Sequence, residues 1–364
     1  MTSGERVAVV GTGLIGTSIA MAARAAGEEV RGFDPDADVL ARASERSGLQ
    51  PGGSMADAVA GTSLVFVCAP VPSIAAVAAE ALAAATDAVV TDVGSVKSHV
   101  LVEVERTVPR GDRSRFVGGH PMGGSERSGP DGASPSVLDG IVWALTPAPA
   151  TAEAATARVS AWVEKVGARP LVMDPFRHDR LVAMVSHLPQ VAATALMGLA
   201  ATEEAGEPDI LLLAAGGFRD LTRLAASSPH LWSDILLANR AQIAEAIDLY
   251  AKRLSEIRDM VIAGSGRDVE RAFTEAKEAR LTLGAKPTVR TGVSVLQVAV
   301  PDRPGALADL TACLGAAGVN IEDLQIVHSP EGGRGTVHLT VVASAAEEAA
   351  RALQGRGFEP VRLA

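Results

Sequence analysis

Cysteine is almost absent: the 364 residues contain two, Cys68 and Cys313, far apart and neither at a metal-ligand spacing. That excludes a disulfide framework and a cysteine-built zinc site, and no metal is expected. Long basic runs are missing as well, and the net charge is −10. Nucleic acid is therefore not an expected partner, and a small anionic substrate must be met by locally placed cations. No uninterrupted apolar stretch reaches about 18 residues, the length of a membrane span, and the chain runs into its first strand without a charged and apolar leader. A soluble, cytoplasmic protein without a membrane partner is expected. Hydrophobic residues make up 48% of the chain, enough to fill the cores of two or three domains.

The most informative segment is Val9-Val10-Gly11-Thr12-Gly13-Leu14-Ile15-Gly16, which joins an apolar strand to a helix through glycines spaced G-x-G-x-x-G. The first glycine allows a tight bend, the second lets backbone approach a pyrophosphate, and the third lets the helix pack closely on the sheet. The phosphates then sit at the positive helix N-terminus. Glu29–Phe33 reads as the next strand, and Asp34 at its end lies where a ribose-binding carboxylate is expected. Such a carboxylate accepts from a 2′-hydroxyl and repels a 2′-phosphate, which favours NAD over NADP. Arg31 is a nearby cation that argues the other way, and a helix cap before Pro35 is the plain alternative for Asp34.

Short apolar strands alternate with Ala-rich helices from Arg6 to about Val172, the later strands being Ser63–Cys68, Ala88–Asp92, Arg115–Gly118, Val142–Leu145 and Arg169–Val172. That alternation predicts an α/β fold with a doubly wound, mainly parallel sheet of the Rossmann type. From Pro175 to about Leu283 the pattern is helical, broken at Gly206-Glu207-Pro208, Gly216-Gly217, Ser227-Ser228-Pro229 and Gly264-Ser265-Gly266. This all-helical segment is a candidate dimer interface. Beyond a linker at Gly284–Pro287 the tail reads βαββαβ. The expected domains are 1–173 for the dinucleotide, 174–287 for substrate and dimerisation, and 288–364 for regulation.

Ligands of such sheets bind outside the carboxyl ends of the strands, and four segments compete for that place. Asp92-Val93-Gly94-Ser95-Val96-Lys97 puts a hydroxyl just past a strand; Gly118-Gly119-His120-Pro121-Met122-Gly123-Gly124-Ser125-Glu126 puts a histidine in what reads as a glycine-rich loop. Ser186-His187-Leu188-Pro189 interrupts a helix, and Gly216-Gly217-Phe218-Arg219-Asp220-Leu221-Thr222-Arg223 brings two arginines into an acidic chain. Each has a plainer use: Ser95 as a helix cap, His187 bonded to a neighbouring carbonyl, Arg223 paired with Asp220 at helical spacing. Trp232 reads as core or interface, and His99, His178 and His230 read as surface residues.

In this order the glycine turn, D-V-G-S-V-K, G-G-H-P-M-G-G-S-E, S-H-L-P and G-G-F-R-D-L-T-R resemble the prephenate dehydrogenase family over essentially the whole chain. The tail, with Asp302-Arg303-Pro304-Gly305-Ala306-Leu307 and Gly318-Val319-Asn320-Ile321, resembles the ACT domain, an amino-acid-binding module present in some members. The resemblance implies NAD-dependent oxidative decarboxylation of prephenate in tyrosine biosynthesis. His120 would take the ring-hydroxyl proton, Ser95 would position that hydroxyl and the nicotinamide, Arg223 would hold a carboxylate, and His187 would contact the side chain. Ser125 and Glu126 would line the pocket, where Gly123 and Ser125 replace the family's more usual Ala and Thr. Gly11, Gly13, Leu14, Ile15, Gly16 and Asp34 would hold NAD. Asp302, Gly305, Asn320 and Ile321 would bind an amino-acid effector, tyrosine as the end product, in a homodimer. The rivals are an arogenate dehydrogenase, a sensor that has lost catalysis, and a β-hydroxyacid dehydrogenase, which would need a lysine absent from residues 175–202.

Overall fold

A parallel sheet covered on both faces needs strands that are apolar throughout, because neither face meets water. Arg6–Val10 and Leu64–Val67 have that character, and both are buried after the exposed Arg6. The computed structural model describes residues 5–123, 129–204, 206–207, 209–283, 292–301, 303–327 and 334–363. The chain folds as two compact units, Met1–Ala192 with Ala226–Leu249, and Ala193–Ala225 with Tyr250–Ala364.

The first unit is built on eight strands: β1 (Arg6–Val10), β2 (Glu29–Phe33), β3 (Gln50–Pro51), β4 (Leu64–Val67), β5 (Val89–Asp92), β6 (Phe116–Pro121), β7 (Val142–Thr146) and β8 (Arg169–Val172). They lie in the order β3-β2-β1-β4-β5-β6-β7-β8, parallel except where β6 meets β7. The chain reverses its progression between β1 and β4, the switch point at which such sheets bind ligands. Alternate residues feed opposite cores: Val7, Val9, Leu64 and Phe66 pack with Trp143 and Trp162, whereas Ala8, Val10, Val65 and Val67 pack with Ile74, Leu82 and Val100. The helix Pro229–Ala238 joins the second core through Ile235 and Trp232.

In the second unit, β9 (Val293–Pro301), β10 (Asp323–Val327), β11 (Arg334–Val342) and β12 (Pro360–Leu363) form an antiparallel sheet in the order β10-β11-β9-β12. Val337, Leu339 and Val341 bury one face of β11 against the helices Ala306–Ala316 and Ala346–Gly355. This is the βαββαβ arrangement read from the tail. The breaks expected at Ser227-Ser228-Pro229 and Gly264-Ser265-Gly266 fall between helices, whereas Gly216-Gly217 opens one; the helices are Gly216–Thr222, Pro229–Ala238, Arg240–Ile262 and Gly266–Leu283, with a further break at Asn239. One helical run, Pro175–Glu203, is long and apolar enough by length and composition to cross a membrane. Within it, His178, Asp179 and His187 are buried and held by hydrogen bonds within the first unit.

One expectation is corrected. Gly118 and Gly119 do not open a loop before His120; strand β6 continues through Pro121, with Gly119 opposite Leu145 and His120 opposite Ala144. The glycines are there because the neighbours are close: a Cβ on Gly119 would stand 2.5 Å from the Asp92 carbonyl oxygen and 2.8 Å from Thr91 Oγ1. Gly119→Ala should therefore displace β6 and destabilise the protein by about 1–3 kcal/mol, the usual cost of overpacking. Urea denaturation measures it, and an unchanged midpoint would contradict this account of the glycine.

Candidate active site

The glycine turn forms the cradle its spacing predicts. Gly11 has φ of +92°, and a Cβ there would lie 2.4 Å from the Cys68 carbonyl oxygen; one on Gly16 would lie 2.0 Å from the Gly11 carbonyl oxygen. A Cβ on Gly13 would meet nothing within 4 Å, so that side of the turn is open. The helix Leu14–Ala25 starts there without a side-chain cap, leaving first-turn N–H groups for an anion. Asp34 follows β2 directly and accepts from Thr12 N–H at 2.7 Å and Asp36 N–H at 3.0 Å. The helix cap is Asp36 instead, which accepts from Asp38 and Val39 N–H. Arg31, the cation that argued for a 2′-phosphate, pairs with Asp57 at 3.0 Å. The open Gly13 face, the uncapped helix and the strand-end carboxylate fit NAD.

Around His120 the structure assembles a hydrogen-bonded network that sequence reading missed. His120 Nδ1 lies 2.9 Å from His178 Nε2, and His178 Nδ1 lies 2.8 Å from Asp179 Oδ1. His178 is only 2% exposed, which corrects its reading as a surface residue. Asp179 also accepts from the backbone N–H of Lys97 and Ser98, both at 2.8 Å. It thereby satisfies the start of helix Ser98–Thr107, a task one plain reading gave to Ser95. Burial alone would raise the Asp179 pKa, but the hydrogen bonds from His178 and the two backbone donors hold it below the usual carboxylate value.

A second buried pair fixes the strand carrying His120. Lys97, 1% exposed, bonds Asp92 Oδ2 and the Gly119 carbonyl, and Asp92 Oδ1 accepts from Gly119 N–H at 3.0 Å. β5, β6 and the loop bearing half-buried Ser95 are thus tied together. Removing one partner would leave a buried charge uncompensated, which typically costs about 3–5 kcal/mol. Burial pushes the His120 pKa well down, with His178, Lys97 and His187 adding to the effect, so the ring is neutral at physiological pH.

His187 belongs to a π-helical turn, Ala183–His187, that continues the helix; such turns recur at functional sites. Its Nδ1 lies 3.2 Å from Asn239 Nδ2, which also donates to the Asp179 carbonyl at 2.9 Å. Trp232 stands edge-on to His187, ring centres 6.0 Å apart. Ser95, His120 and His187 all lie in the first unit, whereas Arg223 lies in the second, exposed at the start of a 3₁₀ turn, Arg223–Ala226. Ser125, Glu126 and Asp302 lie outside the described residues. Gly305 precedes the helix Ala306–Ala316 without a side-chain cap, Asn320 donates to Glu322 at 2.6 Å, and half-buried Ile321 packs on the tail's core.

A Rossmann-type sheet with a dinucleotide cradle and a neutral histidine at the carboxyl edge of its strands defines a nucleotide-dependent oxidoreductase. Residues 19–172 match the model of the prephenate dehydrogenase nucleotide-binding domain, residues 174–275 that of the prephenate dehydrogenase dimerisation domain, and residues 294–355 that of the ACT domain. Prephenate dehydrogenase of Bacillus subtilis (strain 168) is 31% identical over 344 residues, 92% of each chain. Prephenate dehydrogenase from A. aeolicus, solved with hydroxyphenyl propionate and NAD+, superposes with a TM-score of 0.71 at 29% identity, over 77% of this chain and 99% of that one. Synechocystis arogenate dehydrogenase superposes with a TM-score of 0.66 at 27% identity, over 76% and 98%. The chain belongs to the prephenate dehydrogenase family.

Buried His187 also makes stability depend on pH. Burial, with His178 in support and Asp179 opposing, pushes its pKa down from 6.5 to about 4. Below pH 6.5 the unfolded chain takes up a proton that the folded chain refuses, so this stability is full above 6.5 and is lost progressively toward pH 4. The shift corresponds to about 3 kcal/mol at about 1.4 kcal/mol per unit. Urea unfolding at pH 7.5 and 4.5 should show the wild type losing about 2–3 kcal/mol more than His187→Gln. Equal losses would contradict the neutral, buried state of His187.

Proposed function

We propose that the chain catalyses the NAD-dependent oxidative decarboxylation of prephenate to 4-hydroxyphenylpyruvate in tyrosine biosynthesis, in the cytoplasm and as a homodimer. The observation that carries this reading is His120, a neutral imidazole held from one side by His178, at the end of β6 on the sheet edge that also bears the dinucleotide cradle. Bound NAD supplies the hydride acceptor. Gly11, Gly13, Leu14, Ile15 and Gly16 hold its pyrophosphate, and Asp34 takes the ribose hydroxyls. His120 takes the substrate's hydroxyl proton as hydride leaves the same carbon, and it returns that proton to the phenolate formed when carbon dioxide departs. General-base help of this kind contributes about 10²–10⁴ in rate. Aromatisation drives the carbon–carbon cleavage, so no covalent nucleophile is required.

Ser95 positions the hydroxyl and the nicotinamide, and His187 contacts the substrate side chain. Arg223 holds a carboxylate through its planar fork, and Ser125 and Glu126 line the pocket. The functional segments are 1–173 for nucleotide, 174–287 for substrate and dimerisation, and 288–364 for regulation. In support of the dimer, Leu212, Leu213, Ile262 and Phe273 are exposed on the second unit, apolar surface of the kind a partner copy covers. Tyrosine is the proposed effector, held by Asp302, Gly305, Asn320 and Ile321.

The test is a rate assay with prephenate and with arogenate, each with NAD and with NADP. NADH and carbon dioxide should form in equal amounts from prephenate, and NAD should be preferred to NADP by about tenfold or more, a factor that needs about 1.4 kcal/mol. Equal kcat/KM with both nucleotides would overturn the role of Asp34. Turnover of arogenate alone would move the assignment to that substrate, and turnover of neither would overturn it.

A further inference from the structure

Two histidines of the site have one ring nitrogen each against a protein group, and those groups differ in what they can do. Asp179 is an ionised carboxylate and can only accept, so His178 Nδ1, at 2.8 Å, carries the hydrogen between them. A neutral His178 then has a bare Nε2, and the 2.9 Å contact to His120 Nδ1 requires one hydrogen. It must sit on His120 Nδ1, which leaves His120 Nε2 with its lone pair. Asn239 acts on His187 in the opposite sense. Its amide nitrogen faces the Asp179 carbonyl oxygen at 2.9 Å, an acceptor only, which fixes that nitrogen as the donor. Its second hydrogen points to His187 Nδ1 at 3.2 Å. His187 Nδ1 is therefore bare, and its one hydrogen is on Nε2.

We infer that Asp179, through His178, and Asn239, through its amide, set the two histidines in opposite tautomers, so that His120 offers an acceptor and His187 a donor. A neutral imidazole in water makes no such fixed choice; here the choice is made by buried groups. Asp179, His178 and Asn239 are positioning residues, and no proton needs to reach Asp179. Asp179 also anchors the helix that follows Ser95 through Lys97 and Ser98 N–H, so one carboxylate orients the base and fixes the adjoining loop. The inference deepens the assignment of His120 as the base and rests on it for its kinetic consequence. The tautomers themselves follow from the hydrogen bonds alone.

The direct test is two-bond ¹H–¹⁵N correlation on the full-length protein labelled with ¹⁵N-histidine, at pH 8. Signals are assigned by their loss in His120→Asn and His187→Asn. His120 should be protonated at Nδ1 and His187 at Nε2. Protonation of His120 at Nε2, which a doubly protonated His178 would impose, would overturn the inference, as would the same tautomer in both rings.

The kinetic arm uses Asp179→Asn, which keeps an oxygen for the helix start but loses the charge. It should lower kcat about tenfold or more with KM changed less than twofold. Among the described residues, the titratable groups that act on His120 are His178, Lys97 and His187, and Asp92 beside them is paired with Lys97. These remain, so loss of the Asp179 charge should move the acid limb of kcat/KM to lower pH. A lowered kcat with an unmoved limb would mean that Asp179 serves only the fold. If that variant does not fold, His178→Gln and His178→Leu replace it: glutamine can still accept from His120 Nδ1–H and should retain more kcat, and equal losses would refute the role. Opposite tautomers in a protein that oxidises neither prephenate nor arogenate would leave this inference standing and remove the proposed function.

Discussion

Asp179 accepts from three donors at once, Lys97 N–H, Ser98 N–H and His178 Nδ1–H, at 2.8 Å each and at 2% exposure. No other group described in the first unit ties so much of the site together, since those donors belong to the start of one helix and to the histidine that holds His120. An unsatisfied buried donor costs about 1–3 kcal/mol, so loss of this carboxylate would be felt in stability as well as in chemistry. Its geometry depends in turn on the helix Pro175–Val182 packing beside the sheet, which is why residues following the eighth strand belong to the same compact unit as the nucleotide fold.

Electrostatics follow from the same packing. Lys97 and Asp92 neutralise one another beneath β6, and His120 and His187 are kept uncharged mainly by burial. A neutral base facing a ligand with two carboxylates needs its cations elsewhere, which is the place proposed for Arg223. An acidic chain with net charge −10 can serve an anionic substrate in this way because a few positioned groups outweigh distant surface charge screened over about 8–10 Å.

The Rossmann strands, the glycine turn and the βαββαβ tail were legible because each depends on local period or spacing, as in Val7–Val10 and Val337–Val341. The path of β6 was not, because Gly118-Gly119 read as a loop and only the proximity of β5 and β7 explains them. The network around His120 was hidden by distance along the chain: His178 is 58 residues from His120, and Asp179 is 82 from Lys97. A signal existed in Asp92 and Lys97, charges set among apolar residues, since groups of this kind are buried only in pairs. Asn239 offered none, being one polar residue between two helices.

The claim on which the account turns is that His120, neutral and with a bare nitrogen, takes the substrate proton. The pH dependence of kcat/KM with prephenate and NAD measures it most directly, because that ratio titrates the free enzyme. A base must be unprotonated to act, so activity should rise with pH through its pKa and then level off. Burial and the neighbouring His178, Lys97 and His187 place that midpoint below the ordinary histidine value of 6.5, and the limb should vanish with most of the activity in His120→Asn. A midpoint at or above 6.5, or an acid limb that persists in the variant, would contradict the account.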